Sequence, residues 1–166
     1  MPIQPGEKLP DVAIRIVDGG DAQPRQTGEL FARRKAVLVG VPGAFTPTCS
    51  TLHVPGYIRH AADFKGRGID LMCLSVNDAH VMRAWAASLQ VPPGWLMLAD
   101  GNAGFARALG LEFDGSAFGM GVRARRFALY ADDGVVRLLH VEAPGELRVS
   151  TAEAMLAAID ASASTS

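Results

Sequence analysis

Cys49 is one of two cysteines in the chain, and the residues around it favour nucleophilic chemistry. It lies in the segment VPGAFTPTC, where an apolar run gives way to a pattern typical of a helix. The first turn of a helix presents unpaired N–H groups and the positive end of the helix dipole, and both stabilise a thiolate. An ordinary thiol, with a pKa near 8.5, is about 3% ionised at pH 7, and lowering the pKa to about 6.5 raises this fraction to roughly 75%. The setting therefore predicts a reactive thiol.

Three neighbours of Cys49 complete the predicted site. Thr46 carries a hydroxyl that can donate a hydrogen bond to the sulfur or exchange hydrogen bonds with a bound oxygen atom. Pro42 and Pro47 fix the backbone and lack N–H groups, which stiffens the pocket and shields the sulfur from water. These residues alone leave two interpretations open, a nucleophile that attacks a small molecule and a buried cysteine without chemistry.

The segment PGAFTPTC, residues 42–49, resembles the P-x-x-x-T-x-x-C active-site motif of peroxiredoxins, in the form of the type II and atypical two-cysteine branch. The similarity continues in the expected order through CSTLHVPGY, CLSVND, LADGNAGFARALGL and GMGVRARRFALY, and so covers most of the chain. It implies a thiol-dependent peroxidase that reduces hydrogen peroxide and organic hydroperoxides. It also implies an α/β, thioredoxin-like fold with a mixed central sheet flanked by helices.

The resemblance implies a catalytic role for four residues. Cys49 is the peroxidatic cysteine, whose thiolate attacks a hydroperoxide and becomes a sulfenic acid. Thr46 holds the peroxide and Pro42 shields the site. Arg126, which precedes the aromatic residue of an R-F-A segment, stabilises the thiolate and the charge on the leaving oxygen.

Two other arginines, Arg123 and Arg125, lie beside Arg126 and are equal candidates on charge alone. Side chains alternate between the faces of a strand, so Arg125 and Arg126 are expected to point in opposite directions. Only one of the two is then able to reach the cysteine.

The second cysteine, Cys73, lies in the apolar segment IDLMCLSV and is expected to be a buried structural thiol. No cysteine follows it, so the late resolving cysteine of the two-cysteine relatives is missing. The expected cycle therefore uses one cysteine, with glutathione and glutaredoxin as the external reductant and thioredoxin as the alternative. A different function, a redox sensor or binding protein that signals through oxidation of Cys49 without turnover, is the competing hypothesis.

His53 and a glycine-rich segment are the other candidates for a binding site. His53 shares a helix face with Cys49, but two ligands make a weak metal site, so a packing or hydrogen-bonding histidine is expected and no metal. Residues 115–121 lack the GxxxxGK[ST] pattern of phosphate-binding loops, and no cofactor is expected. The resemblance implies a homodimer contact along an edge with three loop residues that are expected to be exposed: Phe45, Phe118 and Met120.

Length and composition agree with a single domain over residues 1–166. A net charge of −1 gives no reason to expect nucleic acid or a membrane surface as a partner. The longest apolar run, AVLVGVPGAF, is shorter than the roughly 20 residues that span a bilayer. The start of the chain lacks the basic and apolar regions of a secretory signal, so a cytoplasmic location is expected.

Alternating strand and helix patterns predict the elements that position the site. Buried strands are expected in the segments KAVLVGV, IDLMCLSV and WLMLAD, an N-terminal hairpin around DGGD, and a late hairpin around DDG. The segment EFDGSAFGMGVRA is expected to be a long irregular loop.

Helix signals follow three of these strands. A helix is expected over residues 48–64, kinked at Pro55, and another after Asn77 as its N-cap. A short helix is expected to end at Gly110. Ser150 and Glu153 form a capping box ahead of a terminal helix, with residues 162–166 as a frayed tail.

Overall fold

Nine strands are present in the computed structural model, which describes the backbone of residues 1–164. In chain order they are β1 (Ala13–Asp18), β2 (Asp21–Gln26), β3 (Lys35–Val41), β4 (Ile69–Ser75), β5 (Leu96–Ala99), β6 (Glu112–Asp114), β7 (Val122–Ala124), β8 (Phe127–Asp132) and β9 (Val135–Val141). Seven of them form one mixed sheet in the order β2-β1-β5-β4-β3-β8-β9. The strands β3, β4 and β5 are parallel, and β1 and β8 pair with them in the antiparallel sense.

Residues 1–164 also contain six α-helices and two helical turns of other types. The helices are α1 (Thr27–Phe31), α2 (Val54–Arg59), α3 (Ala61–Gly66), α4 (Ala79–Leu89), α5 (Gly104–Leu109) and α6 (Ala152–Ser164). A π-helical turn spans Cys49–His53, and a 3-10 turn spans Ser116–Phe118. Among the described residues, no helix combines the length and the hydrophobicity that crossing a membrane requires.

The central strands are apolar on both faces because each face is covered by helices. On one face, alternate residues of β3, β4 and β8 pack with side chains of α2, α3, α4 and α6. On the other face, the intervening residues pack with α1 and α5. The predicted fold class, a mixed sheet flanked by helices, is confirmed, as are both predicted hairpins and the three buried strands.

The helix predicted over residues 48–64 is broken at a different place from the one expected. Helical backbone begins at Pro47 and runs through the π-helical turn into α2, where Pro55 occupies the first turn. In this wider turn the N–H of Val54 donates to the carbonyl of Cys49, just before the residue that lacks a donor. The chain interrupts the helix at His60 instead.

Two predicted helix caps are wrong by one residue. Asp78, and not Asn77, caps α4, because its side chain accepts from the N–H of Val81. At α6 the hydroxyl of Thr151, and not that of Ser150, accepts from the N–H of Ala154. The side chains of Asn77 and Ser150 have other hydrogen-bond partners, which sequence spacing does not reveal.

The segment predicted as an irregular loop contains a small second sheet. Its strands β6 and β7 pair in the antiparallel sense around the 3-10 turn, with Phe113 opposite Arg123. The three-residue strands were hidden because glycines dominate the segment. At the C-terminus, α6 continues to Ser164, into the predicted frayed tail, whereas Thr165 and Ser166 lie outside the described residues.

Candidate active site

Cys49 lies at the start of the helix that follows β3, as predicted. The loop after Val41 leads into helical backbone at Pro47, and Cys49 is the first residue of the π-helical turn. Its side chain is completely buried. The surrounding helix start therefore supplies the positive dipole end close to a thiol that bulk water does not reach.

Arg126 lies 77 positions after Cys49 in the sequence and contacts its sulfur. Its Nη2 donates a hydrogen bond to the sulfur over 3.2 Å, and its Nη1 donates to Nδ1 of His53 over 2.9 Å. The pairing of Gly40 with Phe127 across β3 and β8 places the preceding Arg126 beside the end of β3. The guanidinium thus brings a permanent positive charge to the sulfur.

Arg126 contacts the sulfur and Arg125 does not, but the predicted cause, alternation along a strand, is wrong. Both arginines precede β8 and lie outside any strand, so strand alternation does not apply to them. The backbone N–H of Arg125 donates to the carbonyl of Leu111, and this bond ties the segment to the end of α5.

Arg123 has a structural role that the sequence did not indicate. Its Nε donates to the carbonyl of Met120 over 2.9 Å, and its Nη1 lies 3.5 Å from the carbonyl of Pro42. It therefore links the small second sheet to the loop that precedes Cys49. Arg123 therefore contacts the backbone of the loop, whereas Arg126 contacts the thiol.

The loop before Cys49 contains Thr46 and Pro42. The hydroxyl of Thr46 donates to the carbonyl of Gly43 over 2.7 Å, and not to the sulfur. That donation leaves the lone pairs of the hydroxyl oxygen available to accept a hydrogen bond from a small molecule. The loop is also held by Asn77, whose Oδ1 accepts from the N–H of Ala44 over 3.0 Å.

His53 is a buried, hydrogen-bonded histidine near the candidate nucleophile, as predicted. Burial, followed by the positive charge of Arg126, lowers the pKa of His53 to about 4, although a hydrogen bond with Ser150 opposes this shift. The ring is therefore neutral at pH 7. Because Arg126 donates to Nδ1, the ring proton resides on Nε2 and is donated to the Ser150 carbonyl over 3.0 Å.

Glu142 and Ser150 complete this network, and the sequence did not indicate either of them. One carboxylate oxygen of Glu142 accepts four hydrogen bonds, from the N–H groups of Arg148, Val149 and Ser150 and from the hydroxyl of Ser150. Burial raises the pKa of the Glu142 carboxyl, but these hydrogen bonds outweigh it and the net pKa is lowered. Spacing suggested a helix cap at Ser150, and no local pattern marks Glu142.

Cys73 is buried in β4, as predicted, where it pairs with Val39 and Met97. Burial, with a smaller contribution from Cys49, raises its pKa far above the ordinary value for a thiol. Both cysteines are free thiols. Cys73 is consequently a poor nucleophile, because it is the thiolate that attacks.

Apolar side chains are exposed around the site. Phe45 and Phe118 are exposed, as predicted, with 54% and 74% of their surface accessible, and so is Leu52. Met120 is only partly exposed, because it packs toward Gly43 in the loop before Cys49. Phe45 also adopts a left-handed backbone conformation, with φ of 64°, which is uncommon for an aromatic residue.

Comparisons with known proteins identify the family of the chain. A model of the Redoxin family matches residues 4–156 of the chain. The chain is 50% identical over 160 residues to peroxiredoxin-2E-2, chloroplastic, of Oryza sativa subsp. japonica, across 93% of this chain and 71% of that protein. It is 44% identical over 160 residues to peroxiredoxin-2B of Arabidopsis thaliana, across 95% of this chain and 99% of that protein. The crystal structure of reduced Prx3 in complex with H2O2 from Vibrio vulnificus is similar with a TM-score of 0.89 and 46% identity, over 95% of this chain and 96% of that one.

Proposed function

The chain belongs to the Redoxin family as a type II peroxiredoxin, a thiol peroxidase, and from this premise we propose that it reduces hydroperoxides at Cys49 through a one-cysteine cycle. The contact that carries the proposal is the 3.2 Å hydrogen bond from Arg126 to the sulfur. A cation beside the sulfur stabilises the negative charge that the sulfur and the leaving oxygen carry during attack.

In the first step the thiolate of Cys49 attacks the terminal oxygen of the hydroperoxide. The sulfur–oxygen bond forms as the oxygen–oxygen bond breaks, which leaves a sulfenic acid and an alkoxide or hydroxide that takes up a proton. Arg126 stabilises the negative charge as it moves from sulfur to the leaving oxygen. Thr46 accepts a hydrogen bond from the peroxide, and Pro42 keeps water from the sulfur.

In the second step an external thiol attacks the sulfenic sulfur, which releases water and leaves a mixed disulfide on Cys49. A second thiol then frees Cys49 and carries away the disulfide. Glutathione with glutaredoxin is the proposed donor, and thioredoxin is the alternative. The burial of Cys73 in β4 supports an external donor, because its thiol has little tendency to ionise.

We also propose a homodimer in the cytoplasm. Three apolar side chains around the site are exposed: Phe45, Leu52 and Phe118. Exposed apolar patches often mark protein contacts, which supports the dimer. Sedimentation velocity on the purified protein and on a Phe118→Asp variant tests it. A monomeric wild type contradicts the proposed dimer.

Intact mass spectrometry tests the one-cysteine cycle directly. The protein is treated with one equivalent of hydrogen peroxide and then with glutathione, and the modified peptide is identified. We expect one glutathione on Cys49, and steady turnover of peroxide once glutaredoxin and glutathione are in excess. A disulfide between Cys49 and Cys73 contradicts the one-cysteine cycle. A single stoichiometric reaction that stops with glutaredoxin and with thioredoxin alike favours a redox sensor.

A further inference from the structure

Glu142 is a buried acid that the proposed peroxidase chemistry leaves unused. Only 4% of its surface is exposed, and it makes no contact with Cys49 among the hydrogen bonds of residues 1–164. A carboxylate is costly to bury unless hydrogen bonds replace its water. Here the bonds all go to one oxygen, Oε2, with donors at 2.7–2.9 Å in the turn 148–150.

These bonds fix the position of the Ser150 carbonyl. The N–H and the hydroxyl of Ser150 both donate to Glu142, so the backbone and the side chain of the residue that carries this carbonyl are both held. The carbonyl that it presents accepts from Tyr57 over 2.7 Å and from Nε2 of His53 over 3.0 Å. Both partners are buried, so water does not readily replace either bond.

The Ser150 carbonyl in turn determines which nitrogen of His53 carries the proton. A carbonyl is an acceptor only, so Nε2 must donate, and Nδ1 is left as an acceptor for Arg126. With Nη1 held by His53, the planar guanidinium directs Nη2 at the sulfur of Cys49. The other tautomer would place a proton against the arginine and displace it.

Glu142 also holds Arg126 through the backbone. Its N–H donates to the carbonyl of Arg126 over 2.9 Å, where β9 ends beside the start of β8. One residue therefore fixes the main chain of Arg126 directly and its side chain through Ser150 and His53. Two independent connections converge on the group that contacts the thiol.

We propose that Glu142 is a positioning residue for the peroxidase reaction, which holds the turn 148–150 so that His53 keeps the Nε2–H tautomer and aims Arg126 at Cys49. The inference rests on the proposed function, because its effect is on the reaction of Cys49 with peroxide. A plain structural role, stabilising the turn before α6, is the competing explanation. The two differ in whether loss of the acceptor changes the thiol as well as the stability.

The test compares Glu142→Ala, Glu142→Gln and a matched control, Asp100→Ala. Asp100 is also a buried carboxylate that accepts two backbone N–H groups, from Phe105 and Ala106, but it caps α5 away from the network. Glutamine keeps an acceptor oxygen for the four donors, removes the charge, and replaces Oε1, which has no hydrogen-bond partner among the described residues, by an NH2 group. Three readouts are used: the rate of sulfenic acid formation with hydrogen peroxide, the thiolate absorbance of Cys49 at pH 7, and the 15N shifts of the His53 ring.

We expect Glu142→Ala to slow peroxide attack about tenfold or more, since displacement of a catalytic group by an ångström costs up to roughly 10²-fold. Its thiolate absorbance falls and the His53 shifts move toward a tautomer mixture. Glu142→Gln stays within about threefold of the wild type, and Asp100→Ala loses stability without a change of rate. If Glu142→Ala does not fold, Ser150→Ala is expected to slow the reaction about threefold, since it deletes the hydroxyl that donates to Glu142 and lies 3.3 Å from Nε2 of His53.

The inference is overturned if Glu142→Ala loses stability as Asp100→Ala does but keeps the rate, the thiolate absorbance and the His53 shifts of the wild type. A Glu142→Gln variant as slow as Glu142→Ala also overturns it, because the charge and not the acceptor geometry would then matter. A folded Ser150→Ala variant with the wild-type rate and shifts has the same consequence. A wild type that does not react with peroxide is a different result, which refutes the proposed function itself.

Discussion

The guanidinium of Arg126 donates to the sulfur of Cys49 over 3.2 Å, although 77 positions separate the two residues. The contact exists because β8 returns antiparallel to β3, so that the residue before β8 meets the loop after β3. Within the pair, the arginine supplies a positive charge beside the sulfur. The rate of peroxide attack should therefore depend on this one side chain.

Replacing Arg126 by alanine is expected to slow sulfenic acid formation by about 10²-fold, the cost of removing one preorganised donor from a site where charge develops. Stopped-flow measurement with hydrogen peroxide at pH 7 gives the rate. Arg125→Ala is the control, since its side chain has the same charge one position away. The assignment is wrong by one residue if Arg125→Ala is slow and Arg126→Ala is not.

Substituting each cysteine in turn should show that Cys49 is needed for turnover and that Cys73 is needed only for stability. Cys49→Ser is expected to abolish peroxide turnover, because a hydroxyl is not ionised at neutral pH. Cys73→Ser is expected to keep turnover and to lose about 1–3 kcal/mol of unfolding free energy, since a hydroxyl is placed among apolar neighbours in β4. Activity is followed by peroxide consumption with glutathione and glutaredoxin, and stability by urea denaturation. Loss of turnover in a folded Cys73→Ser protein assigns a redox role to this thiol.

The parts of the fold that the sequence predicted are those with strong local signals. The three central strands are continuous apolar runs, and the late hairpin has a DDG turn between two strands, so each was visible in a short window. The short strands β6 and β7 were missed because three-residue strands among glycines carry almost no periodicity. Tertiary pairing, not local preference, holds them.

Local sequence signals likewise identified only some residues of the candidate site. The local sequence marked Thr46 and Cys49 as candidates, but their catalytic roles, like that of Arg126, came from the family motif. Glu142 and Ser150 were not found, because the network joins the residue after β9, the turn before α6 and the π-helical turn. Such contacts arise from the register of β8 and β9, which one sequence does not specify.

Acid should destabilise the protein through His53. Its pKa is about 4 when folded and 6.5 in the unfolded chain, so between these values the unfolded state binds more protons and stability falls as the pH falls. From pH 7 to pH 5 we expect a loss of about 2 kcal/mol in unfolding free energy from this residue. Urea denaturation at the two pH values gives the change.

The matched variant is His53→Gln, which does not titrate. Its stability should change less than that of the wild type over the same interval, by about the 2 kcal/mol assigned to the histidine. His60, whose pKa is raised by hydrogen bonds to Asp63 and Glu153, contributes equally in both proteins and cancels. Equal pH dependence in the two proteins contradicts a buried, neutral His53.

Gly40 is the residue in β3 that allows Phe127 to lie against the sheet. A Cβ at this position would overlap the Phe127 ring, which is completely buried opposite it across β3 and β8. Gly40→Ala is therefore expected to lose about 1–3 kcal/mol of unfolding free energy and to slow peroxide attack, because Arg126 is adjacent to the displaced ring. Gly66→Ala is the control, as its added Cβ meets nothing within 4 Å.

In the double variant Gly40→Ala, Phe127→Leu, the smaller side chain should restore part of both losses, so that the two changes are not additive. If the losses simply add, or if Gly40→Ala matches Gly66→Ala, packing of Phe127 against Gly40 does not position Arg126.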